Sequence, residues 1–358
     1  MCTQVSYSEK ISEIENFKVY LRQIGSGENT SKTLSRSDAA EAMRLMLIGK
    51  ASQAQIGAFL IAHRIRRPKS QELAGMLDAY LNLGPIVKSK RGKTAPICFG
   101  MPFDGRNKTA PIYPLTSLVL LSESQPIFLQ GGQAMPTKYG VTTVELFANL
   151  GLNLKGLSLK HLEDGFDNHG FGFMYQPDHF PLAESLISYR DQIGKRSPIS
   201  TLELLWTIHQ GEHLLINGFF HPPTEQLISE ALEMHGERNL ICIKGLEGST
   251  DLPINRKCIA RKSHNNEFKE IILNPLENDC AGSNQKWTNI HSWREAAFDA
   301  LNFKGPLKQS LRWNSGAYLW LSGRAKDLYD GISKADNAIK TGKARNTLEK
   351  LILWRSTY

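Results

Sequence analysis

The sequence predicts an α/β protein in which a small all-helical unit precedes a larger unit built on a mainly parallel sheet. Three observations carry that expectation. Apolar residues recur at helical spacing, without strand-like alternation, through residues 1–86. A basic stretch, KSKRGK within Val87 to Thr94, then breaks the pattern in the manner of a hinge. Beyond it, short apolar runs alternate with helical segments, the order expected of parallel strands covered on both faces.

The elements follow in order. Ile11, Ile14, Phe17 and Tyr20 or Leu21 mark a helix over 8–24, and Gly25 to Thr33 is a loop. Ser35 and Asp38 stand at capping-box spacing before the apolar stripe Ala39, Ala42, Met43, Leu45, Met46 and Leu47, which ends near Gly49. Ser52 caps a helix whose apolar residues crowd every face from Ala54 to Arg64, as in the centre of a bundle; another helix runs from Ser70 to Leu83. In the larger unit, Thr94 to Phe99 and QPIFLQ (125–130) read as strands, with a helix from Leu115 to Leu121 between them. Thr142 and Glu145 open a helix that stops at Gly151. Phe219 with Phe220, and LICI (240–243), are further strands around a helix from Pro223 to His235; helices return over 315–321 and 323–339.

Composition sets wide bounds. A chain of 358 residues suits two structural units. With 43 Lys plus Arg against 35 Asp plus Glu, its net charge of +8 permits anionic partners without naming one. The cysteines, Cys2, Cys98, Cys242, Cys258 and Cys280, are scattered and form no C-x-x-C pair, so neither a disulfide framework nor a zinc site is indicated. His209 and His213 are the one histidine pair at helical spacing, and they lack the glutamate of a zinc protease motif. No window approaches a membrane span and the N-terminus carries no leader pattern, so a cytoplasmic protein without a membrane partner is expected.

One stretch, CFGMPFDGRNKTAPIYP (98–114), has the strand-loop-helix layout of a phosphate-gripping loop. It keeps Gly100, Asp104 and Gly105. Pro102 and Phe103 stand where close backbone approach needs small residues, and Pro102 also removes an N–H donor.

From about Leu34 to its last residue the chain resembles the anthranilate phosphoribosyltransferase family. LSRSDAAEAMRLMLIGKASQAQIGAFLIAHRIRRPKSQELAGM (34–76) is similar to that family's N-terminal helical domain, and NSGAYLWLSGRAKDLYDGISKADNAIKTGKARNTLEKL (314–351) to its final helices. The resemblance implies a discontinuous helical domain, 1–86 plus roughly 178–209, joined to an α/β domain of 87–177 plus 210–358. It also implies a homodimer through the helical domain and an active site in the cleft between the domains.

The family's chemistry, attack of an acceptor amine on phosphoribosyl pyrophosphate assisted by magnesium, needs phosphate-cradling glycines, a carboxylate pair and cations. Here the family's Gly-Thr-Gly-Gly-Asp appears as Gly100 to Asp104 with altered residues between, and Lys-His-Gly-Asn-Arg appears as Leu129 to Gln133 with only Gly131 kept and Lys138 as a substitute charge. The Asp-Glu metal pair aligns with Thr250-Asp251, leaving Glu247 and Asp251 as metal ligands at altered spacing. His179 and Arg196 correspond to acceptor-binding positions, the histidine displaced by one residue. Lys244 falls on a former phosphate loop.

With these motifs altered and the scaffold kept, the chain resembles a divergent branch whose members bind nucleic acid and lack transferase activity. The first expectation is therefore nucleic-acid binding, DNA or RNA, with no cofactor. Its cations would be Lys88, Lys90, Arg91 and Lys93 in the hinge, then Arg196 and Lys244, with Arg64, Arg66, Arg67, Lys69, Lys138, Lys195, Arg256, Lys257, Arg261 and Lys262 behind them, and Tyr139, Phe171 and Tyr175 as stacking aromatics. The alternative is an active phosphoribosyltransferase for anthranilate or another aromatic or amine acceptor, with Mg2+ in a rewired site. A third reading is a regulatory protein that binds a small phosphorylated ligand.

Overall fold

A computed structural model describes residues 7–27, 29–88, 94–219, 221–264 and 267–358. Four helices come first: α1 (Tyr7–Ile24), α2 (Arg36–Leu47), α3 (Gln53–Arg66) and α4 (Ser70–Leu83). The Ser35 side chain accepts from the Asp38 amide, and Ser52 forms a capping box with Gln55, as the sequence signatures require. α2 buries its expected stripe against α4. The two approach so closely that a Cβ on Gly75 would meet the Arg36 carbonyl oxygen at 2.1 Å.

The chain then runs β1 (Val87–Lys88), β2 (Ile97–Gly100), α5 (Tyr113–Ser122), β3 (Ile127–Gly131), α6 (Thr143–Asn149), α7 (Leu159–His169), β4 (Phe171–Tyr175) and the short α8 (Gln176–His179) and α9 (Pro181–Glu184). After these come α10 (Ile187–Ile193), α11 (Ile199–Leu205), β5 (His209–Gln210), β6 (Leu214–Gly218), α12 (Pro222–Glu233), β7 (Leu240–Ile243), β8 (Cys258–His264) and β9 (Glu267–Leu273). Helices α13 (Ile290–Leu301), α14 (Lys308–Leu321), α15 (Leu328–Lys340) and α16 (Lys343–Arg355) close it.

The main sheet has seven strands in the order β4-β3-β2-β6-β7-β8-β9, parallel from β4 to β7 and antiparallel across β8 and β9. Its parallel strands are buried along their whole length, which is why they read as continuous apolar runs. One face packs on α5 and the C-terminal helices around Trp313, Tyr318 and Leu351. The other joins α12 and the N-terminal helices in a second apolar cluster. α10 and α11 pack against α3 and α4, with Tyr80, Phe180 and Trp206 forming a ring triad at centroid separations of 5.2 to 5.6 Å.

Several local expectations need correction. The strand placed at Phe219 lies earlier, at Leu214–Gly218, and Phe220 is outside the described residues. His209 and His213 are not on a helix: His209 lies in β5, which pairs with β1, and His213 in the turn that follows. FGFMY, given no element by periodicity, is β4; a short all-apolar run has no period to read. The β8–β9 hairpin hides in a charged stretch because it forms the sheet's exposed edge. Among the described residues no helix is long and apolar enough to cross a membrane.

Candidate functional site

Strand succession reverses between β2 and β6: β2, β3 and β4 proceed one way across the sheet, β6 and β7 the other. Crevices at such switch points, beyond the carboxyl ends of the strands, are where open parallel sheets take ligands. Here that crevice is a cleft of about 760 Å³, bounded by the end of α3 and the loops after β2, β3, β6 and β7. Arg64, Arg67, Lys108, Lys138 and Arg196 line it, opposed by Glu247, so the cleft carries a positive field suited to an anion. Arg67 and Glu247 both hold non-glycine backbone at positive φ, 65° and 54°, a local strain common at ligand-binding positions.

The wall carrying Arg64 and Arg67 is fixed by a buried carboxylate. Glu72 accepts from the Leu34 and Lys69 amides at 2.9 and 2.8 Å, pairs with Arg66, and lies 3.4 Å from His63 Nε2. Burial alone would raise the Glu72 carboxyl, but His63 and the two amides outweigh it and hold it at about 2. Arg66 is therefore committed to Glu72 rather than free for phosphate.

The loop after β2 brings three sequence candidates together. Asp104, fully buried, takes a two-pronged contact from Arg196 Nη2 and Nε at 2.6 to 3.1 Å, with Lys138 Nζ at 3.9 Å. Burial lowers the Lys138 ammonium's affinity for its proton, and Asp104 works against that. Gly105, at φ +74°, packs so tightly on Gly140 that a Cβ would sit 2.5 Å from its carbonyl. Phe103 is not an obstruction in the cleft: its ring is buried in the apolar cluster beneath.

The decisive residue of the site, Arg106, was not singled out from the sequence. Its guanidinium is buried, pairs with Asp251, reaches Glu247 at 3.4 Å, and bonds Thr109 and Ser249. Asp251, itself 1 % exposed, also accepts from the Ile112 amide at 2.8 Å. Glu247 accepts from the Thr109 amide and hydroxyl at 2.9 and 2.8 Å. Burial would raise the Glu247 carboxyl, but Arg106 and Thr109 hold it below the usual carboxylate range. The two carboxylates nominated as metal ligands thus spend their lone pairs on an internal cation and on amide and hydroxyl donors. Mg2+ demands octahedral oxygen ligation and retains waters; this donor set, as it stands, does not fit it. The sequence marks Arg106 only by its place in DGRNK, two residues after Asp104, which does not reveal its distant partners.

The remaining candidates lie elsewhere. Gly100 ends β2 against α11, where a Cβ would strike the Leu204 carbonyl at 2.0 Å, so its small size serves packing. Gly131 ends β3 beside Thr143. Both ring nitrogens of His179 are taken by backbone, Nδ1 accepting from the Tyr175 amide at 3.0 Å and Nε2 meeting the Leu157 carbonyl at 2.8 Å. Lys244 follows β7 away from the cleft lining. Lys88 is exposed on β1; Lys90, Arg91 and Lys93 lie outside the described residues. Phe171 and Tyr175 are buried in the core and offer no face for stacking on a base. Arg261 pairs with Glu225 at 3.1 Å.

Comparison with known proteins places this architecture. Residues 18–84 match the helical bundle domain of a glycosyl transferase family and residues 106–345 match its a/b domain. The anthranilate phosphoribosyltransferase of Chromobacterium violaceum is 26% identical over 315 residues, 87% of this chain and 90% of that protein. An uncharacterized protein of Aquifex aeolicus is 29% identical over 231 residues, 64% of this chain and 68% of that one. Among solved structures, anthranilate phosphoribosyltransferase from Thermus thermophilus superposes with a TM-score of 0.77 at 21% identity, covering 94% of this chain and 99% of that one. The Saccharomyces cerevisiae enzyme in complex with 4-fluoroanthranilate gives 0.82 at 16%, covering 96% and 98%; at such identities the likeness is one of fold. The chain belongs to the glycosyl transferase family of helical bundle and a/b domains that includes the anthranilate phosphoribosyltransferases.

Proposed function

We propose that this protein binds a phosphoribosyl pyrophosphate-type donor in its cationic cleft and transfers the phosphoribosyl group to an aromatic or amine acceptor, with Arg106 standing where a divalent cation would otherwise neutralise charge. The observation that carries the reading is the convergence of Arg64, Arg67, Lys108, Lys138 and Arg196 on one cleft at the sheet's switch point. The named relatives that align along most of the chain support it. In such a transfer the acceptor nitrogen bonds to C1 of the ribose, the C1–oxygen bond to pyrophosphate breaks, and the nitrogen loses its proton to solvent. Cations on the cleft wall hold the phosphates and stabilise the departing pyrophosphate. Asp104 positions Arg196 at the mouth, and the buried floor around Arg106 keeps that region neutralised without a bound ion.

The test is loss of anthranilate fluorescence with phosphoribosyl pyrophosphate supplied, with and without a chelator. Turnover that survives chelation is the expected result. No turnover with anthranilate or a panel of aromatic amines, together with no calorimetric binding of the donor, overturns the reading.

A second reading, nucleic-acid binding, is favoured by one observation. With Arg106 already neutralising Glu247 and Asp251, the cleft needs no metal to accept a polyanion. It predicts retardation of single-stranded oligonucleotides that weakens steeply with salt and with joint replacement of Arg64, Arg67 and Lys138. No retardation at low salt removes it.

A further inference from the structure

At the opposite, N-terminal edge of the parallel strands, three side chains from separate segments converge. Cys98 projects from the start of β2, His209 from β5 and His213 from the turn leading into β6. One potential ligand atom from each lies within 4.8 Å of the others. No part of the transferase reading uses them.

The two histidines are poised in a way that packing alone does not require. His209 is 7 % exposed, its ring held between Phe128 and Phe166, and its Nδ1 is buried without a hydrogen-bond partner. An unpaired buried imidazole nitrogen is costly unless something else satisfies it. His213 Nδ1 sits 2.8 Å from the Gly211 carbonyl, which makes that nitrogen the donor, so the neutral ring carries its lone pair on Nε2. Fixing one ring nitrogen on a backbone carbonyl while the other faces inward is the usual arrangement of a metal-bound histidine. Glu237 Oε2 approaches the same Nε2 to 3.0 Å, an ion pair when the ring is protonated and a carboxylate beside the cation when the ring binds one. The Cys98 thiol, 2 % exposed, completes the set.

We propose that Cys98, His209 and His213 form a structural site for a thiophilic divalent cation, Zn2+ by its chemistry, with Glu237 or a water as fourth ligand. One sulfur and two imidazoles suit the borderline-soft zinc ion and not magnesium or calcium. A tetrahedral zinc, about 2.0 Å from nitrogen and about 2.3 Å from sulfur, sets its ligands about 3.5 Å apart. The cluster is therefore slightly open, and His213, in a turn with its side chain 13 % exposed, is the ligand able to close it. The site would tie β5, and through its pairing β1, to β2 and β6 of the main sheet.

The test is titration of the chelator-stripped protein with Co2+ and Zn2+. The expected result is one equivalent bound per chain, with a near-ultraviolet thiolate-to-cobalt band that Zn2+ displaces. C98S loses the band, and H213A weakens binding by at least tenfold while keeping a native circular dichroism spectrum. Because H209A removes a buried ring and can fail to fold, X-ray absorption of the zinc-loaded wild type gives the second measurement: one sulfur and at least two nitrogen scatterers support the site. No thiolate band in the wild type, a band that persists in C98S, or a zinc shell without sulfur overturns it; an ion pair between His213 and Glu237 alone would give the first of these.

Discussion

The two ends of the parallel sheet deal with buried polar groups in opposite ways. At the carboxyl ends, Glu247 and Asp251 are satisfied within the chain: Arg106 and neighbouring amides and hydroxyls take their lone pairs. At the amino ends, Cys98, His209 and His213 are gathered with an imidazole nitrogen left unpaired. The contrast teaches that a buried polar group is either closed by a partner from within the chain or left open to one from outside it. Glu247 and Asp251 are closed by a guanidinium, whereas His209 keeps a buried ring nitrogen without a hydrogen-bond partner.

The most damaging way to break this comparison is to remove the internal cation. R106A leaves buried Asp251 and partly buried Glu247 without their shared cation, and breaking a buried pair costs about 3–5 kcal/mol. The urea midpoint should fall accordingly, with E247Q in the same background recovering part of the loss by removing one of the stranded charges.

Next in size is Glu72, the carboxylate that braces the cleft wall. Its folded pKa is depressed to about 2 from an ordinary value of 4.5. The stabilisation is therefore fully present above about pH 4.5 and is lost as pH falls through 2; it amounts to roughly 3 kcal/mol by linkage. E72Q should lower stability at neutral pH and flatten the acid arm of a stability-against-pH curve, measured by urea titration from pH 2 to 7.

At the other end of the sheet, E237Q sharpens the role of the carboxylate beside His213. Changes of this kind typically cost about 10–100-fold in metal affinity. Zinc competition against a chromophoric chelator reads the loss. The smallest effect belongs to R196A. Asp104 loses its main partner but keeps Lys138 nearby, and Arg196 is 40 % exposed, so stability should fall by only about 1 kcal/mol. Donor binding at the cleft should weaken visibly in the same variant.

Much of the scaffold was legible in the chain itself. Ser35, Ser52 and Thr142 announced their helices by capping chemistry, and the stripe from Ala39 to Leu47 announced its buried face; both are local signals. β8 and β9 are hard to read in the sequence because Arg, Lys and Glu interrupt the edge hairpin and leave only the short run Ile271 to Leu273. At the site, Asp104, Arg196 and Lys138 were named before it was known that they touch. Pairing across 92 residues leaves no local trace. Arg106 went unnoticed for a related reason. Nothing near it in sequence reveals that Glu247 and Asp251, more than 130 residues away, would converge on it. His179, near a family motif position, has a ring held by two backbone groups that lie 4 and 22 residues away in sequence. His209 and His213 stand at helical spacing in the sequence, and only the turn before β6 and the arrival of Cys98 from β2 make them a cluster.

The central claim is that a guanidinium holds the place of a divalent ion at the cleft floor, and magnesium calorimetry on the free protein tests it most directly. The account predicts no saturable Mg2+ binding to the wild type at millimolar concentration. A saturable site in the wild type that disappears in E247Q would contradict it.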